Sequence, residues 1–285
     1  MLRALVLLLA LTGCSSSGPA EAADPLAPAG PREELRLMTF NIRYGTANDG
    51  DHRWEERREL VAARIRAAAP DVLALQEALA FQLEELAPVL ADYRKVGQHR
   101  EGGLEGEFSG LFVHRELELL AQGEFWFSEE PHTPGSRSWD SSLPRMCAWV
   151  EVAVGEGRLP VRIYGTHYDH RGARARAASS RMILADCALG DPVVVMGDLN
   201  AAEGDEPVRA LLDRGFRSAV LEHEPSVTRG TMNAFRHEDG GRARIDHVLV
   251  RGPLQVLDAA ILGGRVDGLF PSDHDAVTAV VAPTP

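Results

Sequence analysis

The 285-residue chain lacks an apolar run of membrane-spanning length, an excess of positive charge, internal repeats and a cysteine framework. A helical span needs about 20 apolar residues, and the stretch from Ala4 to Leu11 is too short to provide one. Cysteine is limited to Cys14, Cys147 and Cys187, which excludes a fold stapled by several disulfides. The formal charge of -12 argues against a protein that grips long duplex nucleic acid through phosphate neutralisation, yet leaves nuclease chemistry open.

What is present begins with a targeting pattern. Arg3 supplies a positive start, Ala4 to Leu11 an apolar stretch, and Leu11-Thr12-Gly13-Cys14 a small-residue close that resembles a lipobox. Residues 1–14 therefore read as a lipoprotein signal with Cys14 as the acylated residue, exported and held at the cell envelope. Residues 15–34 are rich in Ser, Gly, Pro and Ala, cannot bury enough surface to offset ordering entropy, and read as a tether. Residues 35–285 are long enough for one domain with a full core. In an exported chain Cys147 and Cys187 can pair or stay as buried thiols, and the sequence leaves both open.

Periodicity predicts strands at Leu35–Phe40, Val72–Leu75, Gly110–His114, Met146–Val154, Val161–Thr166, Pro192–Met196, Ile245–Val250, Val256–Ile261 and Ala276–Val281. Helices are predicted at Trp54–Ala69, Phe81–Leu86, Ala173–Leu189 and Pro207–Leu212. Many strands with few helices point to sheets packed on each other with helices outside. Metal-competent or proton-handling residues recur where apolar strands end: Asn41, Glu77, His167, Asp198 with Asn200, Asp246, and Asp273 with His274. Any one of these is an ordinary turn former; turns do not require the repeated alternation of carboxylate, amide and imidazole. Oxygen donors such as Asn41, Glu77 and Asp273 suit Mg²⁺ or Mn²⁺ better than zinc. His167-Tyr168-Asp169-His170 approaches a zinc-hydrolase signature but has Gly165 where its first histidine belongs. Arg171, Arg174, Arg176 and Arg181 read equally as a solvated helix face or as positive potential for an anionic ligand.

The ordered blocks Thr39-Phe40-Asn41-Ile42-Arg43, Leu75-Gln76-Glu77, Thr166-His167-Tyr168-Asp169-His170, Gly197-Asp198-Leu199-Asn200, Arg244-Ile245-Asp246-His247 and Ser272-Asp273-His274 resemble the endonuclease/exonuclease/phosphatase superfamily. The resemblance implies an α+β, four-layer α/β/β/α sandwich: two packed, mainly antiparallel sheets flanked by helices, with the site at one end. It implies metal ligation by Asn41, Glu77 and Asp273, catalysis by His167, Asp198, Asn200, Asp246 and His274, and Mg²⁺ or Mn²⁺ as cofactor. Arg43, Trp54, Arg145, His170 and Arg176 are candidate substrate-binding residues, and Trp139 a further candidate for the pocket wall. The expected activity is phosphodiester hydrolysis outside the cytoplasm by a monomer, on a small molecule, lipid headgroup or nucleotide, with no protein partner evident. Phosphomonoester hydrolysis is the alternative within the chemistry, and a non-catalytic surface binding protein the alternative outside it. The chain departs from the family pattern at Asp275-Ala276, where an aromatic residue and a proline are common.

Overall fold

The computed structural model describes residues 32–187, 192–241 and 243–284. The signal, Cys14 and most of the tether therefore lie outside the described residues. Two mixed sheets of six strands pack face to face, flanked by helices. The first runs β11 (Leu254–Leu262), β12 (Ala276–Pro283), β1 (Leu35–Asn41), β2 (Val72–Ala78), β4 (Phe108–His114), β3 (Tyr93–Val96). The second runs β5 (Leu119–Trp126), β6 (Met146–Val154), β7 (Leu159–His167), β8 (Val193–Asp198), β10 (Asp246–Arg251), β9 (Arg217–Ser218). One pair in each sheet is parallel, β1 with β2 and β7 with β8, and the other pairs are antiparallel.

Strand alternation decides where the core sits. Side chains two residues apart share a face, so Leu35 and Leu37 of β1, Val72 and Ala74 of β2, Val161 and Ile163 of β7, Val194 and Met196 of β8, and Val248 and Val250 of β10 meet between the sheets. The opposite face of the first sheet, including Met38, Phe40, Leu73 and Leu75, is covered by α1 (Trp54–Ala68), α2 (Ala80–Glu85) and α3 (Ala87–Leu90). The outer face of the second, including Tyr164, Val193, Val195 and Leu249, is covered by α4 (Ala173–Asp186) and α5 (Glu206–Leu212). α6 (Ala219–His223) adds Ala219 and Val220 to the inter-sheet layer. α1 buries Trp54, Arg57, Val61, Ala62 and Ile65, the stripe expected of a helix lying on a sheet, and ends at Ala69 in the left-handed conformation before Pro70.

Cys147 and Cys187 are both buried and free, which settles their pairing. Gly165 faces Leu111 of the other sheet, and a Cβ there would lie 2.5 Å from the Leu111 side chain. Close approach of the sheets accounts for the glycine that breaks the zinc-type signature.

Candidate active site

The inward-facing rows of the sandwich turn polar at one end. On β1 the row Leu35, Leu37, Thr39 continues to Asn41; on β7 Val161 and Ile163 lead past Gly165 to His167; on β8 Val194 and Met196 lead to Asp198; and on β10 Val250 and Val248 lead to Asp246. Registration places His167 beside Asp198 in the parallel pair and Asp246 beside Asp198 in the antiparallel one. Three strands thus set an imidazole and two carboxylates side by side. Gly197 permits this, because a Cβ at its φ of +150° would meet the Thr166 carbonyl at 2.0 Å.

Glu77 reaches the site differently. The β2–β4 register shifts between Leu75 and Ala78, and Glu77 itself has φ +63°. This irregularity carries its carboxylate toward Asn41. The Asn41 amide then bridges the sheets, donating to Glu77 Oε1 at 3.1 Å and to Asp198 Oδ2 at 3.1 Å. Tyr44 N donates to Glu77 Oε2 at 3.1 Å, and Ser272 Oγ donates to the Asn41 carbonyl at 2.7 Å, seating the Ser272-Asp273-His274 turn against β1.

His274 Nδ1 is 2.8 Å from Asp246 Oδ2, while its Nε2 is 3.9 Å from Asp198 Oδ2. His167 Nε2 approaches the same Asp198 oxygen at 3.4 Å, and Asn200 N donates to Asp198 Oδ1 at 2.8 Å. Asn200 Nδ2 donates to the Tyr168 carbonyl at 3.0 Å. Burial, with the Asp246 carboxylate adding to it, pushes Asp198 up to about 7. Burial alone would depress His274, but Asp246, Asp198 and Asp273 outweigh it and hold the ring protonated well above the ordinary histidine range. His167 goes the other way, kept neutral by burial and by the nearby Arg145 and Arg100. A raised carboxylic acid, an imidazolium and a neutral imidazole within one buried cluster are groups matched to proton transfer and charge stabilisation.

Two donor sets suit a cation. The first is Asn41, Glu77 and Asp273; burial and the Glu77 charge both raise Asp273, a repulsion that a divalent ion would relieve. The second is Asp198, Asp246 and His274, whose ligating atoms lie within 4.8 Å of one another. In that set Asp246 Oδ2 and His274 Nδ1 engage each other, while Asp246 Oδ1 is buried with no hydrogen-bond partner. Both sets are dominated by hard oxygen donors, so the residues fit Mg²⁺ or Mn²⁺.

Glu77, His167, Asp198, Asn200, Asp273 and His274 converge on one cleft of about 590 Å³, joined by Arg43, Arg145 and His170, with Asn41 hydrogen-bonded to Glu77 and Asp198. Asp246 lies directly behind His274. Arg43 is already engaged, holding Asp49 through Nε at 3.2 Å and Nη2 at 3.1 Å, with Asp273 Oδ2 at 3.7 Å. Three expectations fail. Trp54 does not face the cleft: its ring is buried at the start of α1 against the first sheet, with Nε1 donating to Glu85 Oε2 at 2.7 Å. Arg176 does not line the cleft either; on α4 it donates from Nη1 to the Asp169 carbonyl at 2.9 Å. Arg171, Arg174 and Arg181 of the same run are exposed, so that run is a solvated face, and Trp139 is a partly exposed loop residue away from the cleft.

The structure adds residues without a strand-end signal. Arg100 and Glu107, on the connection between β3 and β4, line the cleft and pair through Nη1 and Oε2 at 2.5 Å. Arg57, fully buried on α1, donates to the carbonyls of Ile42 (2.5 Å), Arg43 (3.0 Å), His52 (3.0 Å) and Pro271 (3.2 Å), tying the Asn41 strand end to the segment before Ser272. Asp169, the acid of the His-Tyr-Asp-His run, accepts from the Ser142, Leu143, Arg171 and Gly172 amides and fastens loop 141–143 to the start of α4.

The sequence profile of the Endonuclease/Exonuclease/phosphatase family matches residues 38–274. Among solved structures, the chain is similar to an endonuclease/exonuclease/phosphatase from Bacteroides vulgatus, with TM-score 0.80 and 26% identity over 88% of this chain and 99% of that one. It is similar to a functionally unknown conserved protein from Enterococcus faecalis, with TM-score 0.79 and 28% identity over 87% of this chain and 100% of that one. A mannosyl-6-phosphatase from Bacteroides thetaiotaomicron shares the fold, with TM-score 0.78 and 24% identity over 87% and 99% of the respective chains. With its six sequence blocks brought to one end of a double sandwich and the family profile spanning both sheets, the chain belongs to the endonuclease/exonuclease/phosphatase family.

Proposed function

We propose that the chain is a divalent-metal-dependent phosphoester hydrolase in which Asp198 activates water for in-line attack on phosphorus. The observation that carries this reading is the Asp198 environment. A carboxyl raised to about 7 is ionised often enough near neutrality to accept a proton and basic enough to hold it, and it lies within reach of two imidazoles facing one cleft.

The residues divide the work. Asp198 takes the proton of the attacking water, and Asn200, anchored to the Tyr168 carbonyl, orients that water or a phosphoryl oxygen. His274 donates from Nε2 to phosphoryl oxygen as negative charge accumulates, with Asp246 fixing its ring through Nδ1. Neutral His167 donates one further hydrogen bond to the same developing charge. Asn41, Glu77 and Asp273 are assigned to Mg²⁺ or Mn²⁺, which, when bound, supplies Lewis-acid neutralisation of the phosphoryl group. Structural likeness to a mannosyl-6-phosphatase supports phosphoester hydrolysis on this fold. Export and acylation at Cys14, acting on a substrate outside the cytoplasm as a monomer, belong to the same proposal and rest on the sequence pattern alone.

The test is turnover of bis-p-nitrophenyl phosphate and p-nitrophenyl phosphate with EDTA, Mg²⁺, Mn²⁺ or Zn²⁺. Turnover should need Mg²⁺ or Mn²⁺, and Asp198→Asn should lower kcat by about 10²–10⁴-fold, the usual contribution of a positioned general base. EDTA-resistant turnover, or full activity in Asp198→Asn, would refute the assignment.

A further inference from the structure

The cleft mixes charges of both signs. Its lining carries the carboxylates of Glu77, Glu107, Asp198 and Asp273 and the guanidiniums of Arg43, Arg100 and Arg145. At Arg100 and Arg145 hydrogen-bonding capacity is incompletely met. Arg145 is 4% exposed, its Nε makes no hydrogen bond, and its Nη2 meets only the neutral-leaning His170 Nδ1 at 3.3 Å. The nearest carboxylate contact of Arg145, to Asp169 Oδ2, is 4.0 Å, and that oxygen already accepts from Ser142 and Leu143. Arg100 is 9% exposed and pairs with Glu107 through Nη1; its Nε makes no hydrogen bond, with Glu101 Oε1 at 3.6 Å. Three carboxylates, Glu101, Glu107 and Asp169, lie within 4.0 Å of the two guanidiniums, yet both buried side chains keep an Nε donor that no acceptor of the chain takes, beside the reacting groups. A buried donor left unpaired is costly unless a ligand oxygen completes it.

We propose that Arg100 and Arg145 form an anion subsite that selects phosphomonoesters, as dianions, over diesters. The inference rests on the hydrolase reading above and names its substrate class. A phosphomonoester carries about -1.5 to -2 charge at neutral pH, whereas a diester carries one negative charge and presents one fewer free oxygen. Guanidiniums match such oxygens with paired N–H donors. A monoester offers oxygens to both arginines, while Asn41, Glu77 and Asp273 would hold the metal. The diester leaves donors of Arg145 unmet, and a site built for a polar group discriminates strongly against a ligand lacking it. Glu107 holds Arg100 in place and is the internal counter-charge with which the phosphate competes.

The experiment compares kcat/KM for p-nitrophenyl phosphate and bis-p-nitrophenyl phosphate, and inhibition by inorganic phosphate, in the wild-type chain and in Arg100→Gln, Arg145→Gln and Glu107→Gln, with thermal melts to verify folding. Each arginine variant should lower the monoester-to-diester ratio by roughly tenfold or more, the scale of one lost charge-assisted hydrogen bond, and weaken phosphate inhibition. Glu107→Gln should strengthen phosphate inhibition. Equal losses on both esters with phosphate inhibition unchanged would overturn the inference while leaving the hydrolase standing. If Arg145→Gln does not fold, Arg100→Gln and Glu107→Gln decide by the same criteria. If the wild type cleaves neither ester, the hydrolase reading fails; calorimetric binding of inorganic phosphate in EDTA, weakened by Arg100→Gln, would still support the subsite, and its absence would overturn it. A soluble hexose phosphate and phosphatidic acid in vesicles, both phosphomonoesters, then distinguish a free substrate from a lipid headgroup.

Discussion

Asp198 has more neighbours than oxygens: the Asn41 amide, the Asn200 backbone, His167 and His274 all address one carboxylate that is fully buried. Its ionisation is opposed by burial and by Asp246, so its folded value near 7 lies above the ordinary aspartate value. A group raised on folding contributes stability that is fully present below its unfolded value, about 3.9, and is lost as pH rises through the folded one. In EDTA, wild-type Tm should therefore fall between pH 5 and pH 8 relative to Asp198→Asn, which cannot ionise, so the melting-temperature gap should widen in favour of the variant. A gap independent of pH would show that Asp198 is not raised. The rate should rise as Asp198 deprotonates, so the residue gains activity where it loses stability. At this scale the sequence was informative where strand alternation ran into a polar residue, as at Asn41, His167, Asp198 and Asp246. It was uninformative for Arg57, Arg100 and Glu107, because a charged residue on a helix or loop reads as solvated until tertiary packing buries it.

The segment from Arg229 to Ile245 has little regular structure, yet it forms one rim of the cleft through Met232 and Ile245. Polar contacts hold it. Asp275 Oδ2 accepts from Arg229 Nη2 at 2.6 Å and Oδ1 from Asn233 Nδ2 at 2.8 Å; Asp275 N donates to the Thr231 carbonyl at 2.7 Å, and Ala234 N to the Asp273 carbonyl at 2.9 Å. The departure at Asp275 from the family's common aromatic residue thus has a physical role: a carboxylate replaces ring packing as the fastener between the catalytic turn and the rim. Thr231 Oγ1 accepts from the Asp246 amide at 3.1 Å, so the fastener extends to the His274 partner. Asp275→Ala should lower kcat at least about tenfold and cost about 1–3 kcal/mol of stability through the stranded Arg229 and Asn233 donors, measured by steady-state kinetics and denaturant unfolding; unchanged values for both would contradict this role. Among the elements, the expected inner strands are all present, while the strands without a sequence signal, β3, β5 and β9, are all sheet edges. An edge strand pairs on one side, is often short or half exposed, and lacks the continuous apolar pattern of a central strand; β9 has only two residues and β3 four. Glu77 was legible as a strand-end residue, but the irregularity that places it inside β2 was not.

Over the whole molecule, the formal charge of -12 coexists with a cleft lined by Arg43, Arg100 and Arg145, so the net charge does not describe the site. The layered fold was legible because each central strand carries its own alternation and the helices fall between them in a fixed order. Substrate charge was not, since it depends on Arg100 and Arg145 meeting across separate loops. The anchor proposed at Cys14 makes a molecular-scale prediction: the chain expressed in a bacterium should partition into the detergent phase on Triton X-114 separation, and Cys14→Ser should move it to the aqueous phase. Partition of both into the aqueous phase would sink the lipid anchor. The pairing of β1 with β12, Leu35 opposite Val281, has a temporal meaning. Nearly the entire described chain separates these neighbours, so β1 must wait, paired on one side only, for a segment synthesised long after it. Asn41 at the end of β1 and Asp273 and His274 just before β12 therefore become one site only at the final step of assembly, and a growing chain that has not yet reached β12 is at once open, unfinished and chemically silent.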